Sequence, residues 1–308
     1  MNEYLKRAES TRAQEIVTRP DGLVSRLYGL PALHRLLPAL LAVRLAKLRG
    51  SLEWRLIRSR RDQARQIAVA LTGEPEGSEA VARFGRKYRQ EKAMQSELSL
   101  RPWMARKMPV EGAAGLRKAI ASGRGVLLAG MHFGPMLSLH HALAHHGFKV
   151  YLSGGHPPEE WMPDGFSGRW VKMQNIWIEE LGHRWVHLGG SYPVLRAVLE
   201  DGGVCWLAWD TKGSDLETTY LGRTVRVPPG LARLHLETGA PILPAVSFRE
   251  GSKMRGFVGP PLNVPKGGDE VLINRILGET MSAIVRPRLA QAHFQSAQLI
   301  ERGGLVKQ

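Results

Sequence analysis

One histidine in this chain stands where an apolar run meets a glycine-containing turn, a position suited to a catalytic base. His132 follows the run Gly125 to Met131 and precedes Phe133-Gly134-Pro135. The run is typical of a buried β-strand, so the imidazole is expected between a strand and a helix. A neutral imidazole can accept a proton from an attacking hydroxyl or amine near neutral pH. We therefore predict that His132 is a general base; the alternative is a buried histidine satisfied by its surroundings.

Asp210 is the carboxylate best placed to orient that base. It directly follows a second apolar run, Val204 to Trp209. If the two strands run parallel, both residues lie at the same edge of the sheet. A carboxylate beside an imidazole fixes its tautomer and stabilises its protonated form. We therefore expect Asp210 close to His132.

The chain from Pro109 onward alternates apolar runs with helical stretches. The predicted strands are 126–129, 149–152, 185–188, 204–209, 242–248 and 254–258. The predicted helices are 112–121, 136–146, 167–181, 191–200, 231–238 and 269–289, with a polar loop after Asp210. This alternation predicts an α/β fold with a mixed, largely parallel sheet covered by helices.

The chain before Pro109 is almost wholly helical in pattern, with its clearest break at 73–77. We therefore expect a helical N-terminal segment at 1–107, an α/β core at 108–290 and a C-terminal tail at 291–308.

Three blocks of sequence carry a resemblance to a known family. They are Leu128 to Gly134, Gly182 to Asp210, and Tyr220 to Pro244. In this order they resemble the lipid A lauroyl/myristoyl acyltransferase family, within the wider lysophospholipid and glycerolipid acyltransferases. The resemblance implies transfer of an acyl chain from acyl-CoA or acyl carrier protein to a hydroxyl or amine, with no cofactor.

The resemblance also assigns roles to individual residues. It implies His132 as the base, with a carboxylate five residues later, where this chain has Leu137. Asp210 is the first candidate to substitute, although the family carries an aspartate there in addition to its motif acid. The substrate-binding residues implied are Phe133, Gly134, Arg223 and Gly230.

The segment around Gly230 could hold an anion. A helix that begins there offers free backbone N–H groups, and Arg223 and Arg226 lie just upstream. A phosphate or carboxylate of donor or acceptor would fit. An ordinary capped helix beside solvated arginines is the other interpretation.

Leu137 leaves two functional interpretations open. In the first, the protein is an acyltransferase that uses His132. In the second, it is a catalytically degenerate relative that serves as a lipid or carrier-protein binding module. The intact Phe133-Gly134 and Pro229-Gly230 pairs argue against general decay of the site.

The excess of positive charge predicts an anionic partner. Lys and Arg number 43 against 28 Asp and Glu, a formal net charge of +15. The sequence contains no recognisable nucleic-acid-binding motif, so nucleic acid is not the expected partner. Between Leu27 and Arg61 leucines alternate with arginines, which is typical of a helix lying on an anionic membrane. Packing of those leucines on the core is the alternative.

Composition narrows the cellular setting. The 308-residue chain has one cysteine, Cys205, within an apolar run, so an internal disulfide is excluded. The N-terminal residues lack the pattern of a secretory signal. We expect a cytoplasmic protein, peripheral on the inner face of the cell membrane.

His141 and His145 could share a zinc ion, but no third ligand is near in sequence, so no metal site is predicted.

Overall fold

A largely parallel β-sheet forms the centre of the computed structural model, which describes residues 2–10, 31–154, 176–187, 190–211 and 216–304. The strands are β1 (Val110–Glu111), β2 (Val126–Gly130), β3 (Tyr151–Ser153), β4 (Arg184–Val186), β5 (Val204–Ala208), β6 (Leu216–Tyr220), β7 (Arg223–Val227), β8 (Ile242–Glu250) and β9 (Lys253–Val258). The helices are α1 (Glu3–Ser10), α2 (Pro31–Leu36), α3 (Ala39–Leu56), α4 (Arg58–Thr72), α5 (Glu79–Ser99), α6 (Ala113–Ala121), α7 (Met136–His145), α8 (Ser191–Glu200), α9 (Gly230–Thr238), α10 (Glu270–Val285) and α11 (Phe294–Gly304), with 3-10 helices at Pro102–Lys107 and Arg286–Gln291.

The strand order places the two predicted catalytic residues on neighbouring strands. The seven-stranded sheet runs β1-β9-β8-β2-β5-β3-β4. Its neighbours pair in parallel, except for the antiparallel pair β8 and β9. In the pair β2 and β5, Gly130 lies opposite Ala208. The predicted fold class, a mixed and largely parallel sheet with helices and a helical N-terminal segment, is confirmed.

The central strand β2 is apolar throughout because helices cover both faces of the sheet. Leu127 and Ala129 of β2 belong to the hydrophobic cluster on one face, and Val126 and Leu128 belong to the cluster on the other. Alternate side chains of a strand point to opposite faces, so a strand buried on both sides reads as a continuous apolar run.

The N-terminal helices pack through small residues. Helix α3 buries Ala42, Val43, Ala46 and Gly50. A Cβ at Gly50 would lie 2.7 Å from the backbone oxygen of Arg89, so the glycine permits the close approach of α3 and α5. The six leucines of α3 are exposed, so they do not pack on the core.

Glu9 connects helix α1 to the far edge of the sheet. Its carboxylate lies 2.6 Å from Lys149 Nζ and 3.0 Å from Arg184 Nε, and it accepts a hydrogen bond from Tyr151 Oη. Partial burial raises the pKa of Glu9, but hydrogen bonds from Lys149 and Tyr151 outweigh burial and bring it to about 2.

Several elements differ from the sequence prediction. The predicted polar loop after Asp210 is wrong from residue 216, where a β6–β7 hairpin begins, turning at Leu221 (φ 53°) and Gly222 (φ 81°). The predicted helix 269–289 ends at Val285 and continues as a 3-10 helix. Within the segment 291–308, for which the sequence predicts only a C-terminal tail, residues 294–304 form helix α11.

Most of the predicted helix 167–181 lies outside the described residues. None of the helices in the described ranges has the length and apolar character needed to cross a bilayer. The domain boundaries at 107/108 and 290/291 remain predictions.

Candidate active site

His132 and Asp210 meet where adjacent parallel strands end. His132 stands just past β2, and Asp210 stands just past β5. The strands stay paired up to this point, since the Trp209 backbone N–H donates to the Gly130 oxygen at 2.8 Å. The fold thus brings together two residues 78 positions apart in sequence.

The contact between the two side chains defines which imidazole nitrogen is free. His132 Nδ1 lies 2.9 Å from Asp210 Oδ1. The His132 backbone N–H donates to both carboxylate oxygens, at 3.0 and 3.1 Å. A carboxylate only accepts, so Nδ1 carries the proton and Nε2 keeps its lone pair. Among the residues that the structure describes, Nε2 has no hydrogen-bond partner.

Burial differs between the two members of the pair. The Asp210 side chain is fully buried, whereas that of His132 is 21% exposed. The imidazole can therefore be reached from outside, and its carboxylate partner cannot. That is the geometry of a base with a protected orienting group.

The pKa of His132 lies above its usual value. Burial lowers this pKa, but the charge of Asp210 and the hydrogen bond to it more than compensate. The positive charge of Lys92 acts in the opposite direction to Asp210. The Asp210 carboxylate thus stabilises the imidazolium that proton transfer would create.

The turn after His132 depends on Gly134. Its φ is +56°, and a Cβ there would lie 2.1 Å from the Ser247 backbone oxygen. Both features require glycine. Phe133 is buried and forms an antiparallel bridge with Ala292. Phe133 and Gly134, both predicted as substrate-binding residues, therefore shape the turn that carries the imidazole.

A segment near the C-terminus supports the turn after His132. The sequence does not predict this contact. His293 donates its backbone N–H to the His132 oxygen at 2.9 Å, and its Nε2 lies 2.8 Å from the Gly134 oxygen. Burial first, then the charges of Lys92 and His132, lower the pKa of His293 far below its usual value, so this imidazole is neutral. Ser296 Oγ donates to Asp210 Oδ2 at 3.4 Å. These contacts join residues far apart in sequence, and no spacing pattern signals them.

Leu137 lies in the first turn of α7, where the resemblance would place an acid. It is half-buried and packs against the hydrophobic cluster that includes Leu139 and Leu143. The side chain in this place is apolar, and Nδ1 of His132 is already bound to Asp210.

The other predicted binding residues are engaged elsewhere. Arg223 Nη1 donates to the Ala70 oxygen at 2.7 Å, which fixes the β6–β7 hairpin to the end of α4. Arg226 Nη2 lies 3.1 Å from Glu217 Oε1. Gly230 is the first residue of α9. The contacts described for Arg223 and Gly230 do not include His132 or Asp210.

A cavity of about 530 Å³ lies beside α7. Two aromatic and two imidazole side chains line it, from Trp103, Trp177, His141 and His145. Within the described part of the chain, no three His, Cys, Asp or Glu residues are grouped so that they could hold a metal ion.

Comparison with known proteins gives one informative similarity. No family model matches the chain. Over 196 residues it is 28% identical to a phosphatidylinositol mannoside acyltransferase from Mycolicibacterium smegmatis (strain ATCC 700084 / mc(2)155), and the match covers 60% of each chain. The similarity supports a relationship to acyltransferases in general. It does not single out the lipid A lauroyl/myristoyl branch.

Proposed function

We propose that this protein is an acyltransferase in which His132 is the general base and Asp210 its orienting carboxylate. The observation that carries the proposal is the 2.9 Å contact between His132 Nδ1 and Asp210 Oδ1, which leaves the partly exposed Nε2 able to accept a proton. The similarity to a named acyltransferase supports the reaction class.

The geometry gives each group a role in acyl transfer. The acceptor hydroxyl or amine gives its proton to His132 Nε2 while its oxygen or nitrogen attacks the thioester carbonyl. The carbon–sulfur bond then breaks, and Nε2 returns the proton to the leaving thiolate. Asp210 holds the ring in one tautomer and stabilises its charged form. In this scheme Asp210 performs the task of the acid that Leu137 replaces.

The substrates belong to the proposal as well. The donor is a thioester, acyl-CoA or acyl carrier protein, and the acceptor is a lipid. Because the mycobacterial relative is named for phosphatidylinositol mannoside, that lipid is the first acceptor to test.

Mass spectrometry of products tests the proposal directly. Wild type, His132→Ala and Leu137→Glu are incubated with each donor and a panel of lipid acceptors. We expect acylated product from wild type and its loss in His132→Ala. Product from Leu137→Glu alone would contradict the proposal and establish the binding-module alternative.

We further propose that the protein works as a peripheral protein on the cytoplasmic, anionic face of a membrane, through α3. Five leucines spaced by three or four residues share one face of this helix, and their exposed fractions lie between 44% and 76%; they are Leu41, Leu45, Leu48, Leu52 and Leu56. Arg44 and Arg55 flank this leucine face and are exposed. An apolar face bordered by arginines suits acyl chains with anionic headgroups above them.

Vesicle flotation tests the membrane proposal. We expect the protein to float with vesicles containing phosphatidylglycerol and much less with pure phosphatidylcholine. Leu45→Ser combined with Leu48→Ser should reduce flotation severalfold. Leu236→Ser removes an exposed leucine from α9 and is the matched control. Equal flotation with both vesicle types would contradict the preference for an anionic surface, and equal flotation of both variants would exclude the leucine face as the contact.

A further inference from the structure

Lys92 lies on the face of α5 that is turned toward the catalytic turn. One helical turn beyond it, Gln95 Nε2 donates to the Gln291 backbone oxygen at 3.1 Å. The same oxygen accepts the Gly134 backbone N–H at 3.0 Å. Residues three apart share one face of a helix, so Lys92 lies on the side of α5 that contacts the His132 turn.

Among the residues that the structure describes, the ammonium group of Lys92 has no anionic partner. Its positive charge lowers the pKa of both His132 and His293, so the ammonium lies within electrostatic range of both rings. Lys92 is half-buried, and its ammonium group makes no hydrogen bond or ion pair with any residue in the described ranges. The neighbouring Arg89, by contrast, pairs with Glu53. Burial, with a contribution from the charge of Arg89, lowers the pKa of Lys92 to about 8.

A second unpaired polar group lies one turn away. Gln95 is 3% exposed, and its Oε1 is buried without a hydrogen-bond partner. Buried polar atoms are nearly always hydrogen-bonded, and buried charges are nearly always paired. The unpaired ammonium of Lys92 therefore indicates a place where a ligand supplies an anion, and the unpaired oxygen of Gln95 indicates a place where a ligand supplies a donor such as a hydroxyl.

We propose that Lys92 binds a phosphate group of the acceptor substrate next to His132. This inference rests on the proposed function. A thioester is uncharged and needs no ammonium partner in its ground state. The phosphate of a phosphopantetheine donor lies at the far end of the pantetheine arm, remote from the thioester. In an acceptor with a hydroxyl close to a phosphate, the phosphate reaches Lys92 when the hydroxyl reaches His132. A lysine ammonium is a common phosphate ligand.

Binding measurements that do not depend on turnover test this proposal. The full chain carrying His132→Ala is titrated by ligand-observed NMR with sn-glycerol 3-phosphate, with glycerol and with 4′-phosphopantetheine. Each titration is repeated after Lys92→Met, after Lys92→Arg and after Lys87→Met. Lys87 is an exposed lysine on the same helix and serves as the matched control.

We expect Lys92→Met to weaken binding of sn-glycerol 3-phosphate about tenfold or more, the usual effect of one charge-assisted hydrogen bond. Lys92→Arg should restore most of the affinity, and Lys87→Met should not change it. Unchanged affinity in Lys92→Met, no binding by the parent protein at millimolar concentrations, or weakening confined to 4′-phosphopantetheine would each overturn the proposal. Phosphate binding without any turnover by the wild-type protein would contradict the proposed function and leave the phosphate site standing.

Discussion

Replacement of Asp210 by asparagine is the sharpest test of the proposed catalytic pair. The amide has the shape of the carboxylate, but only one of its ends accepts hydrogen bonds. The amide oxygen can keep the bonds from the His132 backbone N–H and from Ser296. The NH2 group then faces Nδ1, where Oδ1 stood at 2.9 Å, and donates to it. The imidazole then carries its proton mainly on Nε2, so only a small fraction of molecules holds the tautomer that can act as a base.

The expected loss is large. Exchange of the orienting carboxylate for an amide in a comparable base-orienter pair costs on the order of 10⁴ in kcat. This corresponds to about 5 kcal/mol of transition-state stabilisation, at about 1.4 kcal/mol per tenfold change. Here the carboxylate is fully buried, so water cannot take its place. We therefore expect a loss of roughly 10³ to 10⁴ in Asp210→Asn.

The pH dependence of kcat/KM of the same variant gives a second test of the pair. The base works only when neutral, so activity falls as pH decreases through the pKa of His132. Asp210 raises that pKa, so we expect the acidic limb of the wild-type protein to lie above the usual histidine value of about 6.5. Residual activity of Asp210→Asn should show this limb at lower pH, because the negative charge is gone.

Initial rates from acyl-CoA, with the acylated lipid quantified by mass spectrometry between pH 5 and pH 9, provide the assay. Asp201→Asn removes an exposed aspartate at the end of α8 and is the matched control. Circular dichroism establishes that both variants fold. A folded Asp210→Asn variant with less than a tenfold loss and an unmoved acidic limb would refute the reasoning.

Three further substitutions test other parts of the structure. Leu137→Glu should change the rate less than about tenfold, because Nδ1 of His132 is already occupied; a 100-fold gain in mass-spectrometric product formation would argue against this. Gly134→Ala should destabilise the fold by about 2 to 5 kcal/mol in chemical denaturation, whereas Gly147→Ala, with positive φ but no close neighbour, should cost less; equal costs would rule out the backbone clash. The stabilisation from Glu9 is present above its unfolded pKa and is lost as pH falls through its folded pKa of about 2. Glu9→Gln should therefore lower the free energy of unfolding by up to about 1 kcal/mol at pH 7 and speed hydrogen exchange in α1. Unchanged exchange would count against the contact between α1 and the sheet.

The sequence predicts the central sheet well because its strands are continuous apolar runs bounded by glycines. Strands 126–129 and 204–209 were predicted within a residue of their observed ends, and their parallel pairing follows from the helices between them. The β6–β7 hairpin escaped prediction because its exposed side chains include Glu217 and Thr219, which make the segment polar on average. Only alternate residues, such as Tyr220, carry the apolar signal.

The candidate site was predictable in part for a similar reason. His132 and Asp210 follow recognisable strands, so topology alone brings them to one edge of the sheet. The contacts of Lys92, His293 and Ser296 arise from packing between elements distant in sequence. No local periodicity encodes such contacts. A single sequence therefore yields the proposed catalytic pair but not the groups around it.

The brace from His293 to Gly134 has a consequence for biosynthesis. It joins positions 159 residues apart, and the second partner is made long after the first. A growing chain on the ribosome can form β2 and β5 early, yet the turn bearing the imidazole lacks its support until residues 291–296 have emerged. The reactive geometry is thus completed at a late stage of synthesis, by a contact of high sequence separation, a class that forms slowly.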